Sequence, residues 1–348
     1  MKNLSKTFVL LLALLIFSSG EIIFAQPQLK IPDASQRATV SQQIGLTEIS
    51  IIYNRPGVKG RTVFGGLVPY GEVWRAGANE NTVISFSSEV QINGKNLPAG
   101  KYGFHIIPTD KDWTLIFSKN YWSWGSFNYD QKEDALRITI TPQKAEMQEW
   151  LQYTFDNVEA NSTTIALRWA DMKASFNIAV DVHKVVFDSF RKEFDNLAGF
   201  FWQPWNQAAN YCLQNRVNME EGLTWADRSI SIAPNIQNQI TKALLLEALG
   251  KKSEAEELKS KALGSGTEAD INTVGYQFLQ AGKIDEAIKV FKTNTERFPD
   301  SWNAWDSLAE GYATKGDKEN AIKYYTKALE MSPENQHVRI KQALDNLK

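Results

Sequence analysis

The sequence predicts a two-domain protein, in which an N-terminal antiparallel β-sandwich or jelly roll is followed by an all-α solenoid. Three observations support this fold class. Apolar and polar residues alternate from Gln26 to about Asp181, which is typical of half-buried antiparallel strands. Near Val182 the apolar period changes to three and four, which indicates helices. From Gln203 onward this helical pattern repeats, most clearly at a spacing of 34 residues.

The first 25 residues have the pattern of a secretory signal peptide. Lys2 and Lys6 give a positive start, an apolar run occupies residues 8–17, and small residues lead to Ala25. The apolar run is too short for a comfortable membrane span. We therefore expect cleavage near Ala25 and export to the periplasm or the extracellular space, with no membrane span in the mature protein.

The β domain is expected over residues 26–182. Its alternating stretches predict about nine strands, with no helical pattern between them, as in a sandwich or jelly roll. Asn93 and Gly94 predict a tight hairpin, because both positions tolerate a positive φ. The clearest alternating stretches are 49–53, 113–118, 136–141, 151–155, 165–169 and 176–180.

An amphipathic helix over residues 183–202 is expected to connect the two domains. Apolar residues recur at helical spacing from Val182 to Leu197. Gly199 and Pro204 are expected to break or kink this helix.

Residues 203–335 contain a helical repeat in about four copies. The last copy has Trp305, Leu308, Tyr312, Gly316, Ala321, Tyr325, Ala328 and Pro333. Shifted by 34 residues, the copy before it has Ile271, Val274, Gly275, Phe278, Gly282, Ala287, Phe291 and Pro299. Gly282-Lys283 and Gly316-Asp317 mark the turn between the two helices of these copies. At these spacings, residues 203–335 resemble the tetratricopeptide repeat family, and residues 336–348 predict the capping helix that such an array needs.

The repeat resemblance implies a concave groove that binds a protein or peptide partner. The groove would be polar and mildly acidic, which favours a polar or basic partner. By the same resemblance, the first-helix positions that face it are Asn272, Tyr276, Asn303, Asp306 and Glu310.

Composition excludes several classes of site. The net charge of −2 argues against nucleic acid as a partner, because phosphates require a basic face. The single cysteine, Cys212, excludes an internal disulfide and a thiolate zinc cluster. No phosphate loop, dinucleotide fingerprint or nucleophile elbow is present in the sequence. We therefore expect no cofactor and no metal, and assign no catalytic residue.

A long loop at residues 53–81 is the main candidate site of the β domain. It contains six glycines, and its apolar residues argue for an ordered loop. Its arginines could bind an anion as a cluster, or they could pair with Glu72, Glu80 or Glu89 and fix the loop in place. The candidate ligands on this loop are Arg55, Arg61, Arg75, Tyr70, Trp74, Asn79 and Glu80, with the two aromatic residues as stacking faces.

Two further features of the β domain carry open alternatives. The segment 121–129 is dense in aromatic residues. Trp122 and Trp124 could form a platform for sugar rings or for a partner protein, or they could lie on one face of an edge strand. His105 lies in a predicted strand, where a hydrogen-bonded structural histidine competes with a ligand or a base.

Four motifs of the β domain resemble the exported Bacteroidetes family known as domain of unknown function 2911. They are YNRP at 53–56, KGRTVFG at 59–65, LVPYGEVWRAGANE at 67–80 and PAGKYGF at 98–104. The resemblance covers about residues 28–180. It implies secretion and a β-rich fold, sometimes followed by tetratricopeptide repeats, but it implies no activity and no catalytic residue.

Three functions follow as hypotheses. The first is a non-enzymatic exported scaffold whose repeat groove binds a protein partner. The second is a β domain that binds a glycan or a small anion. The third is a hydrolase that uses Glu72, Glu80 or His105 for acid–base work.

Overall fold

The computed structural model describes residues 31–347. The chain divides into two compact units between Val180 and Asp181, and each unit is described by itself. The expected signal peptide at residues 1–25 lies outside the described residues. Over residues 31–347, no helix has both the length and the apolar character needed to cross a membrane.

Over its described residues, the first unit contains ten strands and one short 3-10 helix at Gln131–Glu133, and all pairings between these strands are antiparallel. One sheet has the order β1-β2-β3-β6-β7-β8, and the other has the order β5-β4-β10-β9. The strands are β1 (Gln36–Ile44), β2 (Thr47–Arg55), β3 (Thr82–Phe86), β4 (Val90–Ile92), β5 (Lys95–Leu97), β6 (Gly100–Ile107), β7 (Trp113–Ser118), β8 (Asp134–Ile140), β9 (Gln143–Asp156) and β10 (Ser162–Ala179).

The two sheets pack face to face over an aromatic core. Phe104 on β6 lies 6.3 Å from the ring of Tyr153 on β9 and 5.6 Å from the ring of Phe176 on β10. Tyr53 on β2 meets Tyr153 edge to face at 4.7 Å. Each ring comes from the apolar face of an alternating strand, so the predicted β-sandwich is confirmed.

The short hairpin between β4 and β5 also has the predicted turn. Ile92 pairs with Lys95, and the two residues between them, Asn93 and Gly94, have φ values of 46° and 78°. Two consecutive positive φ angles give the turn whose twist matches that of the flanking strands.

Strand β10 is longer than its sequence pattern indicates. The alternating stretches 165–169 and 176–180 fall largely within this single strand, but the large buried side chains are at odd-numbered positions in the first stretch and at even-numbered positions in the second. Ala170 has a φ of 53°, and on each side of it the register shifts, so that two residue steps on β10 face four on β9. This irregularity changes which residues of β10 are buried, and so breaks the alternation without ending the strand.

The second unit consists, over its described residues, of ten α-helices and one short 3-10 helix at Leu197–Phe200. The predicted all-α solenoid is therefore confirmed. The helices are α1 (Val182–Phe194), α2 (Trp202–Asn215), α3 (Met219–Ile232), α4 (Ile236–Ala248), α5 (Lys252–Ser265), α6 (Glu268–Gln280), α7 (Ile284–Arg297), α8 (Trp302–Lys315), α9 (Lys318–Met331) and α10 (Glu334–Asp345).

The connecting helix that was expected over residues 183–202, with a break or kink at Gly199 and Pro204, is shorter than predicted. That helix, α1, ends at Phe194, and Pro204 lies in the first turn of α2. The first turn tolerates proline, because its backbone N–H groups have no partner inside the helix. Pro204 is therefore placed where a helix starts.

Helices α2 to α9 pack as four successive pairs. Within the pair α6–α7, Gly275 lies directly against the fully buried ring of Phe291. Ala287 and Ala321 are also fully buried where the helices approach one another. The last helix, α10, buries Ile340 against Ala309 and its neighbours, and so covers the last pair.

Candidate functional site

The loop at residues 56–81 follows β2 and is fixed to the sandwich by a short backbone bridge. The N–H of Trp74 donates to the carbonyl of Ile106 at 2.9 Å, and the N–H of Ile106 donates back at 2.8 Å. Because Trp74 pairs with Ile106, Arg75 lies beside His105 in this register. The ordered loop that the sequence predicts therefore brings two of the candidate residues together.

Aromatic residues of the loop continue the core of the sandwich. Trp74 stacks on Trp169 of β10 with ring centroids 5.6 Å apart, and Phe64 lies 4.5 Å from Trp113. Trp74 also donates its ring N–H to the carbonyl of Gly77 at 3.0 Å. These contacts explain why Trp74 is only partly exposed and how the loop keeps one path.

A pocket of about 360 Å³ opens between this loop and the segment 126–129. A pocket of this volume is at the small end of the range for small-molecule sites. Its lining residues are Leu67, Val68, Pro69, Glu72, Val73, Trp74, Arg75, Ser126, Phe127 and Tyr129.

Arg75 is the cation of this pocket. Its guanidinium carbon lies 5.7 Å from the ring centroid of Trp124, and its Nε is buried without a hydrogen-bond partner. None of the ion pairs in the described part of the chain includes Arg75. Burial lowers the pKa of Arg75, as expected for a desolvated cation.

His105 lies under the pocket and is only 2% exposed. Its Nδ1 is 2.9 Å from the Oγ of Ser126, and its ring lies 5.5 Å from that of Tyr129. Burial, followed by the Arg75 guanidinium, lowers the pKa of His105 from 6.5 to about 4. The imidazole is therefore neutral at pH 7 and can either accept from Ser126 or donate to it.

A buried acid lies behind the pocket. The hydroxyl of Tyr129 donates to Oδ2 of Asp134 at 2.7 Å, while Oδ1 of Asp134 is buried without a partner. Burial raises the pKa of Asp134, and burial together with the Asp134 carboxylate raises that of Tyr129. A hydrolytic triad needs an acid to orient the histidine, but here the acid is bonded to Tyr129.

The structure separates the three arginines by their partners. Arg55 donates from Nε to the carbonyl of Leu151 at 2.9 Å. Arg61 donates to the carbonyls of Val58 and Gly57 at 3.0 and 2.6 Å. Both fix backbone segments of the sandwich, and only Arg75 lines the pocket.

The remaining loop candidates have structural partners or lie outside the pocket lining. Glu80 accepts from Asn54 at 2.7 Å, and Asn79 donates to the carbonyl of Ser35 at 3.3 Å. Tyr70 is 48% exposed and covers Gly65, where a Cβ would come within 2.8 Å of its ring.

The aromatic segment 121–129 forms no strand, so the edge-strand alternative was wrong. Trp122 is 70% exposed, whereas Trp124 stacks on Phe127 with ring centroids 5.9 Å apart. Gly125, at a φ of 69°, turns the chain between them. Because the chain turns at Gly125, the hydroxyl of Ser126 lies within hydrogen-bond distance of His105.

Sequence reasoning missed Ser126, Tyr129 and Asp134 as parts of the site. Ser126 and Tyr129 belong to the aromatic segment that was singled out, but only for its ring faces. The polar residues between those rings were the available signal. Asp134 begins β8 and carried no signal of its own.

The second unit contains a larger groove of about 1270 Å³. Its walls come mainly from α2, α4 and α6, which are the first helices of three successive pairs. Only three of its lining residues are charged: Arg216, Glu247 and Lys283. Its amide side chains are Gln203, Asn206, Gln207, Asn210, Gln214, Gln237, Gln277 and Gln280.

Two of these amides show how the groove is built. Asn210 donates to the carbonyl of Asn206 at 3.1 Å and to the Oγ1 of Thr241 on α4 at 3.2 Å. Asn206 is 8% exposed, and its Oδ1 is buried without a hydrogen-bond partner. That oxygen is covered by protein atoms, so the polar contacts that the groove can make come from its more exposed amides, such as Gln207.

The groove residues expected from the repeat resemblance lie on α6 and α8, and four of the five have a side-chain partner on another helix. Tyr276 donates to Glu310 of α8 at 2.7 Å, and burial is the main cause of the raised pKa of Tyr276. Asn303 donates to Glu268 of α6 at 3.0 Å. None of the five expected residues lines the groove of about 1270 Å³.

Asp306 and Asn272 complete this set. Asp306 is paired with Arg339 of α10 at 2.9 Å, and burial raises the pKa of its carboxyl group. The Oδ1 atoms of Asp306 and Asn272 are both buried without a hydrogen-bond partner.

Metal-ligating groups do not converge anywhere in residues 31–347. No three His, Cys, Asp or Glu side chains there are arranged so that they could hold a metal ion.

Comparison with known families identifies a match in each unit. Residues 35–178 match a family described as "Protein of unknown function (DUF2911)", and residues 302–335 match "Tetratricopeptide repeat". The two matches occur in the expected order. Together with the ten helices, the second match shows that this unit is a tetratricopeptide-like solenoid, a class that mediates protein interactions.

Individual proteins show more limited similarity. Superkiller complex protein 3 of Homo sapiens is 34% identical over 61 residues, which are 18% of this chain. The chain spans only 4% of that protein's length.

Three solved structures resemble the chain over less than half its length. MamA from Desulfovibrio magneticus RS-1 is 17% identical, with a TM-score of 0.26 over 42% of this chain and 82% of its own. PilF of Pseudomonas aeruginosa is 16% identical, with a TM-score of 0.26 over 42% of this chain and 67% of its own. YrrB, described as a TPR protein with an unusual peptide-binding site, is 18% identical, with a TM-score of 0.21 over 44% and 96%.

Proposed function

We propose that this protein is a non-enzymatic scaffold, and that the groove between α2, α4 and α6 holds an extended peptide segment of a partner protein. The observation that carries this proposal is the lining of the groove, which has eight amide side chains and only three charged residues.

Amide side chains suit the backbone of a bound peptide. Each amide offers both a donor and an acceptor, which is what an extended backbone presents in return. The low charge of the groove favours a polar segment over a strongly charged one.

The test uses a photo-crosslinking amino acid in the full-length protein. Gln207 is an exposed groove residue, and Lys323 on α9 is an exposed control outside the groove. We expect a partner protein to crosslink from position 207 and not from position 323. A synthetic peptide that spans the crosslinked segment should then bind the unmodified protein.

A variant of the groove completes this test. Asn206→Leu should weaken binding of that peptide by up to roughly ten-fold, because it removes one amide from the groove lining and a hydrogen bond is worth about 1 kcal/mol. Asn215→Leu, at the exposed end of α2, is the matched control. Equal peptide affinity for wild type and Asn206→Leu, or no peptide binding at all, would contradict the proposal.

A second candidate function is glycan binding at the exposed aromatic segment. Trp122 is 70% exposed and Phe127 is 77% exposed, which is unusual for side chains of this size. A sugar ring could stack on either of these two aromatic side chains. A thermal shift with an oligosaccharide panel that is lost in Trp122→Ala would support this function, and no shift with any oligosaccharide would reject it.

We place the scaffold outside the cytoplasm, because residues 1–25 have the charge and apolar pattern of a signal peptide.

A further inference from the structure

We propose that the pocket of the first unit binds a small monocarboxylate with an apolar body, and that the carboxylate lies on Arg75. This site is separate from the peptide groove of the proposed function, since the pocket belongs to the β-sandwich. It is built from the long loop and from the segment that carries Ser126 and Phe127.

The first argument is the unpaired charge. Arg75 is partly buried, its Nε has no hydrogen bond, and it has no ion pair within the described residues. A desolvated guanidinium without an anion is costly, whereas a bound carboxylate would satisfy it with two parallel N–H···O bonds. The ring centroid of Trp124 lies 5.7 Å from the guanidinium carbon, and a ring over the guanidinium face leaves its terminal N–H groups for an anion.

The second argument is the shape of the loop around this cation. At Gly125, which has a φ of 69°, a Cβ would come within 3.1 Å of NH1 of Arg75. A glycine here gives the guanidinium room and allows the turn that carries Ser126 to His105.

The third argument is the character of the walls. Apart from Arg75 and Glu72, the loop contributes only apolar side chains to the lining, including Leu67, Val73 and Trp74. Phe127 closes the other side. A pocket of about 360 Å³ with one cation and apolar walls suits a single anionic group attached to a compact hydrocarbon or aromatic body.

The fourth argument excludes ligands of higher charge. Arg75 is the only basic residue in the pocket lining, and the carboxylate of Glu72 lies on the same lining. His105 adds no charge, because burial and Arg75 keep it neutral at pH 7. A dicarboxylate or a phosphate dianion would therefore have no second positive partner and would be repelled by Glu72.

The experiment measures binding of 4-fluorobenzoate to the full-length protein by ¹⁹F NMR. Unlabelled benzoate should displace the probe, whereas benzamide, its neutral analogue, should not. Phthalate, which carries a second carboxylate, should compete at least several-fold less well than benzoate. Displacement by benzamide as effective as that by benzoate would overturn the proposal.

Variants locate the site. Arg75→Gln should weaken 4-fluorobenzoate binding by roughly ten- to hundred-fold, as expected for a charge-assisted pair of hydrogen bonds. Arg37→Gln, on the exposed edge strand β1, should leave it unchanged. Leu67 lines the pocket and is 45% exposed, so a larger side chain fits there without disturbing the core. Leu67→Trp should narrow the pocket and weaken 4-fluorobenzoate binding without changing the charge of the site. If 4-fluorobenzoate does not bind at millimolar concentrations, or binds folded Arg75→Gln and Leu67→Trp as it binds wild type, the proposal is wrong.

Discussion

At the scale of single residues, His105 shows how packing assigns chemical character. The side chain lies on a central strand of the sandwich, with Ser126 and Tyr129 against its ring and Arg75 beside it. Both desolvation and a neighbouring positive charge disfavour the imidazolium. A histidine that is a pH-sensitive group in water thus becomes a neutral hydrogen-bonding residue in the fold.

We predict that this histidine makes the protein less stable in acid. Its folded pKa of about 4 lies below the ordinary value of 6.5, so the unfolded chain takes up a proton first as the pH falls. Stability is therefore fully present above pH 6.5 and decreases toward pH 4, by roughly 3 kcal/mol in total for this group. The charged and titratable groups around it are Arg75, Tyr129 and, through Tyr129, Asp134.

Urea unfolding at a series of pH values measures this effect. The wild type should lose more stability between pH 6.5 and 4 than His105→Gln, which keeps a polar side chain but cannot titrate. Asp156, whose pKa is lowered to about 2 by bonds from Arg168 and Lys173 despite desolvation, affects a lower pH range in both proteins. Parallel pH profiles for the two proteins would contradict the prediction.

At the scale of elements, the close helix crossings depend on small residues. In the pair α6–α7, a Cβ on Gly275 would come within 2.2 Å of the Phe291 ring, which is fully buried. In the pair α2–α3, a Cβ on Gly222 would come within 2.7 Å of the Cβ of Cys212. The repeated small residues of the sequence thus fix how near the two helices of a pair lie.

We predict that two glycine-to-alanine substitutions have opposite effects. Gly275→Ala should lower the free energy of unfolding by about 1–3 kcal/mol, because the added methyl group overpacks a rigid core. On α5, a Cβ added at Gly264 would meet nothing within 4 Å. Gly264→Ala should therefore raise the free energy of unfolding by up to about 1 kcal/mol, because alanine is the better helix former. Chemical denaturation of both variants measures the difference, and equal effects would show that the crossing at Gly275 can relax.

At the scale of the whole molecule, the chain has two cores of different construction. The first is aromatic and lies between two sheets, whereas the second is divided into clusters along the helical array. Each proposed site belongs to one unit, the pocket to the sandwich and the groove to the helices. The expected export concerns both units equally, because it depends on the residues that precede them.

We predict that the mature protein begins at Gln26. Mass measurement of protein from the exported fraction should give a chain that lacks residues 1–25, since Ala25 ends a signal-peptide pattern. A double variant, Leu12→Arg and Leu14→Arg, interrupts the apolar run and should keep the uncleaved chain in the cytoplasm. Exported protein that still carries Met1 would contradict this prediction.

The sequence by itself determined the fold class, because strands and helices leave different apolar periods. Alternation at 113–118 and 136–140 identified β7 and β8, and the 34-residue repeat identified the helical pairs. The hairpin at Asn93-Gly94 could also be predicted from a short stretch of sequence, because these two residue types tolerate the positive φ angles that its turn requires. The limits of this signal appear at Ala170, where a bulge interrupts the alternation of a continuous strand.

Only the tertiary structure decided the site. The sequence does not distinguish Arg55, Arg61 and Arg75 as anion ligands. In the structure, Arg55 and Arg61 donate to backbone carbonyls, whereas Arg75 lines the pocket. Ser126 meets His105 across a separation of 21 residues, through a turn that an aromatic pattern does not reveal. Periodicity records which face of an element is buried, whereas partners between distant segments depend on how those segments pack together.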